Sequence, residues 1–328
     1  MTRIITALFF AWFGIAQRDS YDELLKHWAY DQNAALSVKE AGVQDRGGIK
    51  IHDISFKAPS GNRAASIGPN GSTVTAYLVV PPGDGPFAAV VYGHWCMPGS
   101  AQLNRTEFLE EAVVLARSGV VALLPDHVIA RPGFNRNQIP LNLQQVDVLV
   151  QQIVNTRRGI DLLVARKDVD PKRVAYVGHS CNGEVGGFLS GIEKPRLNAV
   201  VVMAGPLSDE VNLKTKTYQD YRQKVGPEKF DTFAATYTWL DPGKYTRHSE
   251  GVAKLLQFAT GEDMLNPDVA RQYLPYVSDP KTLQIYEAPH ALNADATRDR
   301  LAFLAQQLEV KQPDAKSVAT IPPLVQPK

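Results

Sequence analysis

Only two cysteines, Cys96 and Cys181, occur in 328 residues, so the chain is not a small scaffold stapled by disulfides. Charge of one sign is also missing. Thirty-five basic residues meet 34 acidic ones, scattered along the chain, for a formal net charge of +1. This leaves no electrostatic footprint for DNA or RNA, and nucleic acid is excluded as an expected partner. No HExxH and no paired-carboxylate spacing marks a metal centre, no internal repeat appears, and no cofactor motif is present. The one long apolar run lies at the N-terminus, from Ile4 to Ile15.

That run follows Arg3 and precedes Gly14-Ile15-Ala16, whose small residues suit a cleavage site. It is short for a membrane span. Residues 1–16 read as a signal peptide, and a membrane anchor or buried helix is the competing reading. The expectation is an exported protein, periplasmic or extracellular, with no stable membrane span once the peptide is removed. Residues 17–48 form an N-terminal segment, and a Pro-rich stretch at 311–328 reads as a loose tail.

What is present is an ordinary globular balance, 44% apolar and 21% charged. Between Ile49 and Pro82, IKIHDISF and TVTAYLVV alternate about a turn-rich stretch and predict two antiparallel strands. Next comes FAAVVYGHW, a continuous apolar run, then a helical spacing through EFLEEAVVLARSG closed by Gly119, then VVALLPDH. A long helix over about 141–166 leads to RVAYVG, a helix opening at CNGEVGG, then LNAVVVMAG, KLLQFATG and KTLQIYEA. Parallel strands need covering crossovers, so this alternation predicts a doubly wound, mostly parallel α/β sheet with helices on both faces. Residues 206–251 break the rhythm and read as an insertion over the sheet's carboxyl edge, with Tyr237 and Trp239 needing something to pack against.

In such sheets ligands bind beyond the carboxyl ends of the strands. The stretch VAYVGHSCNGEVGG places Ser180 and Cys181 side by side at a strand-to-helix turn. The G-x-S-x-G turn presents a nucleophile on a tight bend. With Ser180 as nucleophile, Gly178 fills the first glycine position and Asn182 stands at the second; with Cys181, Gly183 fits and His179 does not. Ser180 is favoured because Gly178 ends the strand and asparagine best tolerates strained backbone. Cys181 then supplies a backbone N–H.

With GHSCNG in place, the order of AYLVVPPGDGPFAAVVYGHW, EFLEEAVVLARSGVVALLPDH, RRGIDLLVARKDVDPKRVAYVGHS, FATGEDMLNP and YEAPHALN resembles the α/β-hydrolase superfamily. It is most similar to the dienelactone-hydrolase and acetyl-xylan-esterase-like branches, over about 49–310. The resemblance implies an esterase acting on a small-molecule ester through an acyl-enzyme, with no cofactor. Ser180 would be the nucleophile and His290 the base. Asp263 would be the orienting acid, on a shortened turn where Glu262 is the local alternative and Asp209 the remote one. The backbone N–H groups of Cys96 and Cys181 would form the oxyanion hole, a disulfide between them being allowed but not required. Trp95 stands where glycine is usual, and with His94, Tyr237 and Trp239 it would line a restricted substrate pocket. Arg131 and Arg136, in the loop after LLPDH, read as solvated loop charges.

Three other readings stay open on the residues alone. Cys181 could be the nucleophile, as in dienelactone hydrolases. His94, His127 and His179 end successive strands and could meet as a metal hydrolase site. Asn182, Trp95 and the shortened acid turn depart from the usual pattern, as a non-catalytic binding protein on the same fold would.

Overall fold

A computed structural model describes residues 20–59, 73–96, 103–131, 144–236 and 238–324. The proposed signal peptide, Arg136 and Tyr237 lie outside them. In chain order the elements are α1 (Tyr21–Lys26), β1 (Lys39–Arg46), β2 (Ile49–Lys57), β3 (Thr73–Val80), β4 (Phe87–Gly93), α2 (Leu109–Ala116), β5 (Val120–Pro125), α3 (Gln144–Val164), β6 (Val169–His179), α4 (Cys181–Ile192) and β7 (Ala199–Met203). Between β7 and β8 lie α5 (Asp209–Asn212), α6 (Lys216–Val225), α7 (Pro227–Thr236) and α8 (Gly243–Thr246). The chain ends with β8 (Ala253–Ala259), α9 (Pro267–Tyr273), β9 (Lys281–Tyr286), α10 (Ala294–Gln307) and α11 (Ala315–Val318).

The nine strands form one sheet in the order β1-β2-β3-β5-β4-β6-β7-β8-β9. Pairings from β1 through β3 to β5 are antiparallel, and all those from β5 to β9 are parallel. The expected β2–β3 pair is present, and β1 adds an antiparallel edge strand that the sequence pattern does not announce. The central strands read as continuous apolar runs because both faces are covered. In β4, Ala89 and Val91 join one core with Val185 and Phe188 of α4 and Val150 and Ile153 of α3. Ala88, Val90 and Tyr92 join the other, with Ala112 and Val113 of α2 and Leu301 and Leu304 of α10. The buried Arg300 guanidinium bonds Glu111, pinning α10 to α2. Among the described residues no helix is long and apolar enough to cross a membrane.

From β4 the chain steps to β5 on one side and returns to β6 on the other, so the sheet's switch point lies between β4 and β6. The loops leaving these two strands frame the crevice where a ligand is expected. The C-terminal stretch is not loose through residue 324: Val318 and Ile321 pack on the second core, and Leu324 packs against Trp95, Leu103 and Ala291.

The inserted helices bury acidic groups. Asp241 Oδ1 accepts the backbone N–H groups of Asp209 and Gly243, at 2.9 and 2.8 Å. Burial, reinforced by the nearby Asp241 charge, pushes Asp209 up to about 7. The unfolded chain ionises Asp209 near 4, whereas the folded chain keeps its proton to higher pH. Stability from this group is therefore complete below pH 4 and is lost as pH rises toward 7. Thermal unfolding of Asp209→Asn between pH 4 and 8 should show a smaller fall in midpoint than the parent and a higher midpoint at pH 8; parallel curves would contradict the assignment.

Candidate active site

Ser180 stands between β6 and α4 with φ 58° and ψ −117°, a backbone region non-glycine residues seldom occupy. Its own N–H donates to the Met203 carbonyl on β7 at 2.8 Å, and its carbonyl accepts from Glu184 N–H at 3.0 Å. These bonds hold a conformation that costs about 1–3 kcal/mol. Gly178 is required by close approach, because a Cβ there would overlap the Asn182 carbonyl. Asn182 does not take the strained conformation; it is helical, and Ser180 carries the strain. The buried Asn182 side chain serves instead as a tether. Its Nδ2 donates to the His94 carbonyl at 2.6 Å, and its Oδ1 accepts from Gln152 Nε2 at 3.0 Å. The elbow is thereby tied to the loop after β4.

His290 follows β9 and is buried beside the elbow, its ring 5.2 Å from that of His179 and 4.4 Å from that of Trp95. Its Nδ1 lies 2.8 Å from Glu262 Oε1. Nε2 is buried without a hydrogen-bond partner among the described residues. A carboxylate on Nδ1 fixes the tautomer whose Nε2 lone pair is free.

The expected partner Asp263 is exposed, and the structure sets Glu262 against His290 in its place. The cause is register. Thr260 N–H donates to the Tyr286 carbonyl and Gly261 N–H to the Ala288 carbonyl, extending the β8–β9 pairing so that Glu262 comes beside His290. Asp263 then turns outward, its carbonyl accepting from Asn266 Nδ2 at 3.1 Å, while Asn266 caps α9. Asp209 belongs to the acidic group of the insertion, bonded to Asn212.

Cys96 and Cys181 form a disulfide, with Cα atoms 6.0 Å apart. The thiol needed for a Cys181 nucleophile is thereby engaged. Cys181 opens α4, so its N–H is one of the orphan amides of a helix N-terminus.

The three-histidine metal reading does not match the donor atoms. His94 Nε2 accepts from His127 N–H at 2.8 Å, so its Nδ1 carries the proton donated to the Trp95 carbonyl at 2.8 Å. Burial holds both His94 and His127 below the usual imidazole range. His179 uses Nδ1 on Glu107 at 2.7 Å and Nε2 on the His290 carbonyl at 3.1 Å. Of the pocket residues, Trp95 faces the site, whereas His94 is locked in its loop. Trp239 packs instead on His27 and Trp28, with ring centroids 4.5 and 5.4 Å apart, beneath the insertion. Arg131, a solvated loop charge by sequence, is buried and donates to the Asp126 carbonyl.

Nothing in the local sequence pattern marks Glu107. It is buried just before α2, and its second oxygen accepts Trp95 N–H at 2.7 Å. One carboxylate thus holds the loop after β4, the elbow's His179 and, through it, the His290 carbonyl. A carbonyl only accepts, so His179 Nε2 carries a proton and a second proton lies between Nδ1 and Glu107. Removing one partner of such a buried pair costs about 3 kcal/mol. Glu107→Ala should lose that much unfolding free energy in urea denaturation; an unchanged midpoint would contradict the bridging role.

A scan against protein-family models and a search of curated proteins found no match. Solved structures do match. The chain is similar to an acetyl xylan esterase from Paenibacillus sp. R4, with a TM-score of 0.65 and 17% identity over 87% of this chain and 92% of the other. It is similar also to acetyl xylan esterase 1 from Thermoanaerobacterium sp. JW/SL YS485, with a TM-score of 0.64 and 15% identity over 88% and 93%. A glucuronoyl esterase from Teredinibacter turnerae T7901 gives 0.56 and 14% over 89% and 84%. Sheet order, a serine elbow after the strand at the switch point and these likenesses agree: the chain has the α/β-hydrolase fold.

Proposed function

We propose that the protein is a serine hydrolase of small carboxylic esters, with Ser180 as nucleophile, His290 as base and Glu262 as the orienting acid. The observation that carries this reading is the state of His290: a carboxylate on Nδ1 and a buried, unpartnered Nε2 among the described residues, with its ring stacked on that of His179, the residue before a serine held at φ 58°. Ser180 Oγ attacks the ester carbonyl carbon as its proton passes to His290 Nε2. The Glu262 carboxylate stabilises the imidazolium that forms. The backbone N–H groups of Cys96 and Cys181 receive the oxyanion. Collapse expels the alcohol with the proton from His290, leaving an acyl-enzyme. Water, deprotonated by the same nitrogen, releases the acid and restores Ser180.

The matched acetyl xylan and glucuronoyl esterases support ester cleavage as the reaction class. Trp95, its ring 4.4 Å from that of His290, favours a short acyl group. A disulfide at the site suits an oxidising compartment, which supports export.

Hydrolysis of p-nitrophenyl acetate tests the assignment. Ser180→Ala should abolish turnover with little change in thermal midpoint. Glu262→Gln should lower kcat about 100-fold or more, while Asp263→Asn stays within about twofold of the parent. Loss of activity in Asp263→Asn with an active Glu262→Gln would overturn the choice of acid.

A further inference from the structure

The two amides assigned to the oxyanion belong to the two halves of one disulfide. Strands β4 and β6 are neighbours, and Gly93 is paired with Gly178 at their carboxyl ends. Cys96 and Cys181 each stand three residues beyond those paired glycines. Their covalent link therefore spans the mouth of the crevice, at the residues whose N–H groups must converge on one oxygen. Among the described residues, the other ties of the β4 loop act nearer the strand: Asn182 on the His94 carbonyl, His127 N–H on the His94 ring, Glu107 on the Trp95 N–H. Cys181 is fixed independently by the start of α4. Cys96, beyond those ties, is joined to that fixed point through sulfur.

We propose that the Cys96–Cys181 disulfide is a positioning element of the oxyanion hole, so that hydrolysis requires the oxidised protein. This rests on the hydrolase reading above. An oxyanion donor acts only when it lies within hydrogen-bond reach of the developing charge, and loss of one donor costs about 100-fold in turnover. Release of Cys96 would move its N–H without touching Ser180, His290 or Glu262. Transition-state stabilisation then falls while substrate binding is retained, which lowers kcat and leaves KM unchanged. Both cysteines are partly exposed, so a small dithiol can reach them. A dithiothreitol thiolate attacks one sulfur and expels the other as thiolate. The second dithiothreitol thiol then closes its ring, freeing both cysteines as thiols and carrying the two electrons' worth of oxidation away as cyclic disulfide.

The test compares oxidised, dithiothreitol-reduced and reoxidised full-length protein in ester hydrolysis. A chelator is included, because the donor atoms of Cys96, Cys181 and His127 lie within 4.8 Å of one another and freed thiols could capture trace metal. Reduction should lower kcat about 100-fold with KM within about twofold and near-ultraviolet circular dichroism retained; reoxidation should restore it. Cys96→Ser should show the same loss and no response to dithiothreitol. A reduced protein that keeps kcat, or that loses it only together with its folded spectrum, would overturn the proposal. An oxidised protein without esterase activity would refute the hydrolase reading itself.

Discussion

A buried carboxylate holds the loops of the candidate site together. Glu107 accepts the Trp95 N–H with one oxygen and pairs with His179 through the other, and His179 passes the constraint to the His290 carbonyl. The loops after β4 and β9 and the end of β6 thus share one anchor. Burial makes this arrangement all-or-none, since a half-satisfied polar network in low dielectric is worse than none. It also explains why three histidines at strand ends do not gather as metal ligands: the ring nitrogens of His94 and His179 are engaged by neighbouring loops and by Glu107 itself.

The anchor sits where topology already demands precision. The sheet reverses its winding between β4 and β6, so the loops from these strands lie side by side without any further device. Three kinds of tie then fix their relative position: the Asn182 side chain on the His94 carbonyl, the Glu107 bridge, and the Cys96–Cys181 disulfide. The strained backbone at Ser180, whose cost is about 1–3 kcal/mol, is held between them by its own bonds to Met203 and Glu184. The pair Cys181 and Asn182, directly after the serine, is thereby read as two tethers to one loop.

Most of the fold is legible in the sequence because buried parallel strands announce themselves as apolar runs separated by helical spacings. Strand β1 is not: its exposed residues carry no alternation of polarity, and only its pairing with β2 makes it a strand. At the site, the strand-to-helix turn singles out Ser180 beside Cys181, whereas His290 and the paired cysteines come to notice only through the resemblance to the α/β-hydrolase superfamily. The carboxylate partner of His290 is not legible locally, because the choice between Glu262 and Asp263 is a choice of register set by the β8–β9 pairing, and a one-residue slip moves a side chain to the other face. Glu107 has no local signature at all. Its partners are 12 and 72 residues away, and in sequence it resembles a charge on a helix edge. The C-terminal stretch packs where a loose tail is expected, because proline content signals loop without saying whether the loop packs.

The proposed chemistry turns on an activated serine at position 180. Intact mass of the oxidised protein after treatment with a fluorophosphonate, followed by mapping of the modified peptide, tests it most directly. One adduct is expected, on Ser180, formed rapidly and absent from Ser180→Ala. An unmodified protein, or an adduct elsewhere that survives that substitution, would contradict it.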